Sequence, residues 1–378
     1  MGFLSGRVSF ARYRVSGAPL RSFSADKIDK LAEHAMGTAR RATADGVEIG
    51  WTAGEHLLDT QFHLAKNVIN DALHFGFRVD VDHPPAELLR AYAAMELHAL
   101  APVNPSPRHK RQARAAALER MEKEGRDGRF TRRRVFDLLW DGPANELLIA
   151  GAGASVLDRL HAHFHETFGR KFEPITAGTL AFSLAEARGQ ARGVDDARPS
   201  EFVSNAAPNG VAWAPDDRSR DFLGNEFLLW LWYRTETEDG GVLLADESEA
   251  AVLPARTLVL ECPRGETGKE TIASDAPTRL PEAKRAIQAG KLPRKCGLTI
   301  ERRGEQFEAT LSAESLAVSG ARLPAVDDVG RAEIEERITR IRSLVETLEL
   351  LYDAFIRIRS GSNWSRELVA MRKWLGRS

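Results

Sequence analysis

Residues 108–134 constrain this chain most: they hold eleven Lys and Arg against four Asp and Glu, a surplus of seven positive charges. Between 108 and 123 nearly every residue favours a helix, yet the apolar content is only Ala113, Ala115, Ala116, Ala117, Leu118 and Met121. So polar a helix has too narrow an apolar stripe to be packed on two sides, and it must project from the body. The whole chain sums to −1, so the remainder carries −8. An anionic partner therefore meets this local patch and not the average surface.

With 378 residues, 43% hydrophobic and 28% charged, the make-up is that of an ordinary globular protein of two or three units. Collagen-like, coiled-coil-only and low-complexity readings are excluded. No apolar run approaches the ~20 residues of a membrane helix, and residues 1–7 lack the apolar core of a secretory leader. The expectation is a cytoplasmic protein. Cys262 and Cys296 are too few for a disulfide framework or a four-thiolate zinc site, and they are expected as reduced thiols.

Periodicity places elements on either side of the arm. Val8, Phe10 and Arg12 alternate with Ser9, Ala11 and Tyr13 as a strand, closed by Gly17 and Pro19. Ser24 can cap a helix whose stripe is Ile28, Leu31, Ala32, Ala35 and Ala39, with Gly46 as its stop. Val47, Ile49 and Trp51 restart at period two, and Leu73, Phe75, Phe77, Val79 and Val81 put five apolar side chains on one strand face. Pro84 and Pro85 break that strand and start a helix striped by Leu88, Tyr92, Met95 and Ala99. Pro102, Pro105 and Pro107 interrupt it before the polar helix, which Gly125 and Gly128 end. Residues 135–140 and 146–151 read as a hairpin around Asp141, Gly142 and Pro143, and Val156, Leu157, Leu160, Phe164 and Phe168 as a helical face.

Residues 188–220, rich in Gly, Pro, Asp, Asn and Ser, read as a surface insertion. Beyond them 222–233 is strongly apolar, 257–261 and 298–301 are strand-like, 281–289 is a short helix stopped by Gly290, and 333–359 is a long amphipathic helix. The fold class is thus α+β: mixed antiparallel sheets with helices, a projecting helical arm and long C-terminal helices. Residues 1–83 and 135–187 form a central body, 84–134 the basic arm, 188–221 the insertion and 222–378 a base region.

Gly265, Glu266, Thr267, Gly268 and Lys269 imitate a phosphate loop. Pro263 stands where its first glycine is needed and Glu270 where Ser or Thr is, so the segment reads as a strand-connecting turn. Asp80 and Asp82 project from one strand face beside His83, a placing that suits magnesium, although solvated carboxylates at a strand end are commoner. His161 and His165 share a helix face but lack a third ligand, so with His163 they read as surface histidines beside Leu160 and Phe164. A G-x-S-x-G elbow, an H-E-x-x-H helix and paired cysteine ligands are all missing, and no catalytic residue, metal or cofactor is assigned. The basic run ends in Arg129, Phe130, Thr131, Arg132, Arg133 and Arg134. Guanidinium groups pair with phosphate, and a ring can stack on or wedge between bases. A solvated helix with Phe130 in a satellite core fits the same residues equally well.

Gly50 and Trp51 follow the first helix, an arginine strand leads into a proline-started helix at 78–85, and a long charged arm precedes Trp140 and a strand at 145–149. Most specific are Ala286, Ile287, Gln288, Ala289, Gly290 and Lys291, followed by Lys295, Cys296, Gly297 and Leu298; residues 227–234 add an aromatic segment. In this order the chain resembles the recombination-associated RdgC family of bacterial DNA-binding proteins nearly end to end. The resemblance implies an α+β subunit with body, fingertip and base, and two copies closing a ring. Duplex DNA would thread the positively charged hole with little sequence preference, restraining recombinase-driven strand exchange. The expected partners are double-stranded DNA, or single-stranded DNA, and a second copy, with nucleoid association and no membrane.

The resemblance also places a basic and aromatic gate at Arg129 and Phe130 and a second gate strand at 264–269. The expected DNA-binding set is Lys110, Arg111, Arg114, Arg129, Phe130, Arg132, Arg133, Arg134, Arg264 and Lys269. The chain departs from the family by its 188–220 insertion and its 362–378 segment. Residues 222–233 and 333–359, the most apolar late elements, are expected to supply an isologous dimer contact. Two readings compete: a metal-dependent nuclease using Asp80 and Asp82, and a scaffold whose basic arm binds an acidic protein.

Overall fold

A computed structural model describes residues 2–38, 46–100, 103–203, 219–237, 241–262, 268–326 and 328–376. Its frame is one sheet of 13 strands in two wings that share strand β1 (Val8–Val15). Val8 and Phe10 pair with β13 (Val318–Arg322), while Ala11 to Arg14 pair with β6 (Glu146–Ile149). One wing continues through β5 (Thr131–Asp141) and β4 (Ala72–Asp82) to β2 (Val47–Thr52). The other continues through β12 (Glu305–Ser312), β11 (Leu292–Arg302) and β9 (Glu249–Glu261) to β10 (Glu270–Ser274). The short strands β3 (Val68–Ile69), β7 (Phe172–Pro174) and β8 (Gly241–Leu243) flank β4, β1 and β9. The α+β class holds, with eleven α-helices among the described residues.

Strand alternation sends Tyr13 and Val15 to one side and Phe10 and Arg12 to the other. On the first side α1 (Ala25–Glu33) and α5 (Ala154–Phe168) cover the N-terminal wing, packing Leu31, Leu160 and Phe164 around Trp51, Phe75, Phe77 and Trp140. Helix α1 ends at Glu33 and not at Ala39, which lies outside the described residues; Ala35 has already turned away to bridge Trp51. Gly50 permits that crossing, because a Cβ there would sit 2.5 Å from the Met36 Cα. The buried Trp51 donates its Nε1–H to Thr167 Oγ1 at 2.8 Å. His163 also belongs to this nest, 4.5 Å from the Trp51 ring and 8% exposed, so it is a core and not a surface histidine. His161 stacks on Phe172 at 3.7 Å, and His165 is exposed.

The opposite side is covered by α8 (Phe222–Thr237) and α10 (Arg331–Arg359). Every residue from Phe222 to Tyr233 is buried, so α8 is apolar all round, as an internal helix must be. Gly224 lets it touch the sheet end, where a Cβ would lie 1.8 Å from the Ala313 carbonyl oxygen. Asn225 donates to the Pro293 carbonyl, and Glu226 pairs with Arg359 at 2.5 Å. Helix α11 (Trp364–Leu375) closes over α8, with Trp374 edge-on to Trp232 at 5.6 Å. Helix α10 spends Ile338, Ile341, Leu344, Leu351 and Phe355 on the same core. Of the two elements expected to supply part of an isologous dimer contact, α8 is enclosed from Phe222 to Tyr233, whereas α10 turns its apolar stripe to the subunit's own interior and keeps a half-buried to exposed outer face.

Two further boundaries change. Phe3, Phe10, Ala72, Leu139 and Leu148 of the body share one cluster with the base elements, so residues 222–378 are continuous with the body. The stretch read as a surface insertion contains α7 (Ala191–Asp195) and buries Val194, Ala197 and Phe202 in that cluster; 204–218 lie outside the described residues. Cys262 and Cys296 are both buried and form no disulfide among the described residues, and burial pushes the Cys296 thiol up to about 12. Among the described residues no helix is long and apolar enough to cross a membrane.

Arg12 holds the two wings and α10 together. It is 4% exposed, donates to Glu146 through Nε at 3.0 Å and Nη2 at 2.8 Å, and also pairs with Glu349 of α10. Burial raises the Glu146 carboxyl above its usual range, against the pull of Arg12. Arg12→Ala strands that carboxylate and should cost about 3–5 kcal/mol. A carboxyl whose folded pKa lies above its unfolded value binds extra protons in the fold, so stability returns as pH falls towards the ordinary carboxylate range. Urea unfolding should therefore show a smaller deficit for the variant at about pH 5.5 than at about pH 8; equal deficits would refute the assignment.

Candidate nucleic-acid interface

The arm is a helical hairpin of α3 (Ala86–Leu100) and α4 (Pro107–Gly125). Ser106 starts α4 with a capping box: its hydroxyl accepts from the His109 N–H and His109 Nδ1 accepts from the Ser106 N–H, with Pro107 at the first position. Ala113, Ala117 and Met121, four apart, are the buried residues of α4, whereas α3 buries none completely. Tyr92 ties the hairpin by donating its hydroxyl to Glu124 at 2.8 Å, with the Arg120 guanidinium 4.1 Å above its ring. No residue of either helix joins the two core clusters, which is what a projecting arm requires.

Ion pairing divides α4 along its length. Towards the C-terminal end Lys123 meets Glu119 at 2.8 Å and Arg120 meets Glu124 at 3.8 Å. Towards the N-terminal end Arg108, Lys110, Arg111 and Arg114 are exposed and have no acidic partner among the described residues. The first turn contains no acid. Arg108 and Lys110, in that first turn, stand at the positive end of the helix dipole against the usual preference, and an incoming anion relieves that opposition.

Arg132, Arg133 and Arg134, assigned by sequence to the arm, lie on β5 opposite Val81, Asp80 and Val79 of β4. A strand turns successive side chains to opposite faces, so the triplet is not one patch. Arg133 shares a face with Asp80, and its Nε is 3.4 Å from that carboxylate. Asp80 is buried and also accepts from Arg78 Nε at 2.8 Å and Nη2 at 2.5 Å. Arg132 and Arg134 point the other way, exposed and without an acidic partner among the described residues. Arg129 is exposed but folds back onto Asp127, with Nη2 to Oδ2 at 2.7 Å.

Phe130 is half-buried, and its ring lies against the end of α4, where a Cβ on Gly125 would come within 3.2 Å. Its carbonyl accepts from the His83 N–H at 2.9 Å. These contacts are those of a packing residue where arm and strand join. Lys269 is exposed beside β10, the edge strand of the other wing, seven places from β5 in the strand order. Arg264, with the rest of 263–267, lies outside the described residues.

The metal reading of Asp80 and Asp82 meets an obstacle in the same geometry. Asp80 is held by two guanidinium groups, and Asp82 accepts from Thr131 Oγ1 at 2.8 Å. No cluster of three or more His, Cys, Asp or Glu that would hold an ion forms among the described residues. What sequence reasoning missed is partnership: the i, i+4 acids at Glu119 and Glu124 already hint at which arm cations are spent, and Asp80 opposite Arg133 appears only once the strand register is known. No protein-family model matches the chain, and comparison with curated proteins returns no significant match.

Proposed function

We propose that this chain binds duplex DNA without sequence preference, through phosphate contacts from the arm and the adjoining end of β5. The observation that carries this reading is the set of exposed cations Arg108, Lys110, Arg111 and Arg114 in the first half of α4, which have no acidic partner among the described residues. Phosphate contacts of this kind position a protein on the backbone and carry no sequence information. The order of segments supports an RdgC-like role, a non-enzymatic ring dimer at the nucleoid that restrains recombination. Such a ring would have to close through surfaces other than α8 and the apolar stripe of α10, which the subunit core occupies. Single-stranded DNA, whose backbone offers the same phosphates, is the second substrate to compare.

If about six to ten phosphates are neutralised by two arms, affinity should fall by roughly 10³ to 10⁵ between about 50 and 200 mM salt, alike for random and fixed sequences. A salt-independent affinity, or tight preference for one site, overturns the reading. Replacing Arg108, Lys110 and Arg111 with alanine should lower the log–log salt slope by about three, and Arg132 with Arg134 by about two, since each lost contact removes about one ion's worth of dependence.

Arg133→Ala should behave differently, lowering the melting temperature because Asp80 loses a partner while the slope stays near that of the parent. Phe130→Ala should cost about 1–2 kcal/mol of stability from lost apolar burial and leave DNA affinity of the folded protein unchanged. A loss of about 1–3 kcal/mol in binding at unchanged stability would instead make Phe130 a base-stacking residue.

A further inference from the structure

The arm has a feature that phosphate binding leaves unused. Between α3 and α4 runs a groove of about 490 Å³ whose floor is apolar, formed by Leu89, Leu97 and Ala113, and whose rim carries Arg90, Lys110 and Arg114. No acid lines it, and none of the three cations has an acidic partner among the described residues. Its volume lies within the ~300–1,000 Å³ of sites that enclose a compact apolar group. Leu89 and Leu97 are only half-buried, and Met95, Leu100 and Leu118 of the same hairpin are exposed by 57%, 40% and 44%. A DNA backbone satisfies the rim and leaves this apolar surface in water, whereas a ligand with an apolar anchor removes it. A second arm laid symmetrically against this one would bring like charges together, which penalises that pairing.

We infer that the α3–α4 groove docks a short acidic segment of a partner protein, with an aromatic or aliphatic side chain on the floor and flanking carboxylates on Arg90, Lys110 and Arg114. Charge complementarity selects this occupant, and the apolar floor separates it from a bare polyanion. The groove shares Lys110 and Arg114 with the DNA reading, but Arg90, Leu89 and Leu97 of α3 belong to it alone and Arg108 and Arg111 lie outside it, so variants at those positions separate the two.

The test uses the full chain and a fluorescent synthetic peptide of five aspartates followed by Leu-Leu-Phe, with two controls: one replaces the aspartates by asparagines, the other replaces the apolar end by three glycines. The acidic apolar peptide should bind at least about tenfold more tightly than either control. Ala94→Trp, which fills the groove from an exposed helix position, and Arg90→Glu should each weaken it by about tenfold or more. Ala94→Trp should leave duplex DNA affinity within about twofold, and Arg111→Ala should weaken DNA but not the peptide. Equal binding of the glycine-ended control, or full binding to Ala94→Trp, overturns the proposal. Loss of DNA binding in Ala94→Trp would assign the groove to DNA, and a shift from dimer to monomer in sedimentation would assign it to a second copy; either result also overturns it.

Discussion

The buried guanidinium of Arg12 is the contact on which the rest of the structure depends. Strand β1 is the only strand common to both wings of the sheet, and Arg12 stands at its midpoint, where pairing passes from β13 to β6. A lone buried charge there is prohibitive, so Glu146 from the neighbouring strand and Glu349 from α10 are obligatory companions. The triad thereby fixes which stretch of α10 lies over the junction. The same helix repeats the device on either side, through Arg342 to Asp141 of β5 and through Glu346 to Arg302 of β11. Directional ion pairs thus set the register of a long helix that hydrophobic contact alone leaves free to slide.

Charge in this chain does two kinds of work, and partnership separates them. Arg12, Arg78 and Arg302 are buried against carboxylates and act as joints. Arg108, Lys110, Arg111 and Arg114 stand on α4 with no acidic partner among the described residues. A count of cations along 108–134 merges the two kinds, as the arginines of β5 illustrate: all three are exposed, yet the middle one pairs with Asp80 and its neighbours on each side have no acidic partner among the described residues.

Much of the fold was legible because its signals are periodic. The alternation at 73–81, the proline-started helices, the polar arm and the long C-terminal helix all emerge within a residue or two of their observed bounds. What failed were inferences about what each apolar face meets. Residues 222–233 looked like an interface because they are apolar on every side, and being apolar on every side is also what a helix enclosed by its own subunit needs. The strand β5 begins four residues before the start that periodicity gives, because three arginines in succession carry no alternation; their strand state comes from pairing with Asp80 and its neighbours on β4.

The motifs that resemble a DNA-binding family turn out here to have structural employment. Gly50 lets the chain cross β2 and Trp51 fills the nest beneath it. Gly290, at φ +86°, ends α9 (Pro281–Gln288), and Lys291 turns back to pair with Glu270 on the edge strand. Packing within this chain accounts for such residues, and they are silent on what the scaffold holds. The arm is the opposite case. It contributes nothing to either core cluster, so its surface composition is free of the packing constraints that shape the body. A cation in the first turn of α4 gains no stability from its position, and Arg108 and Lys110 stand there against the helix dipole. Stability gives no account of that pair, whereas the anion binding proposed above would.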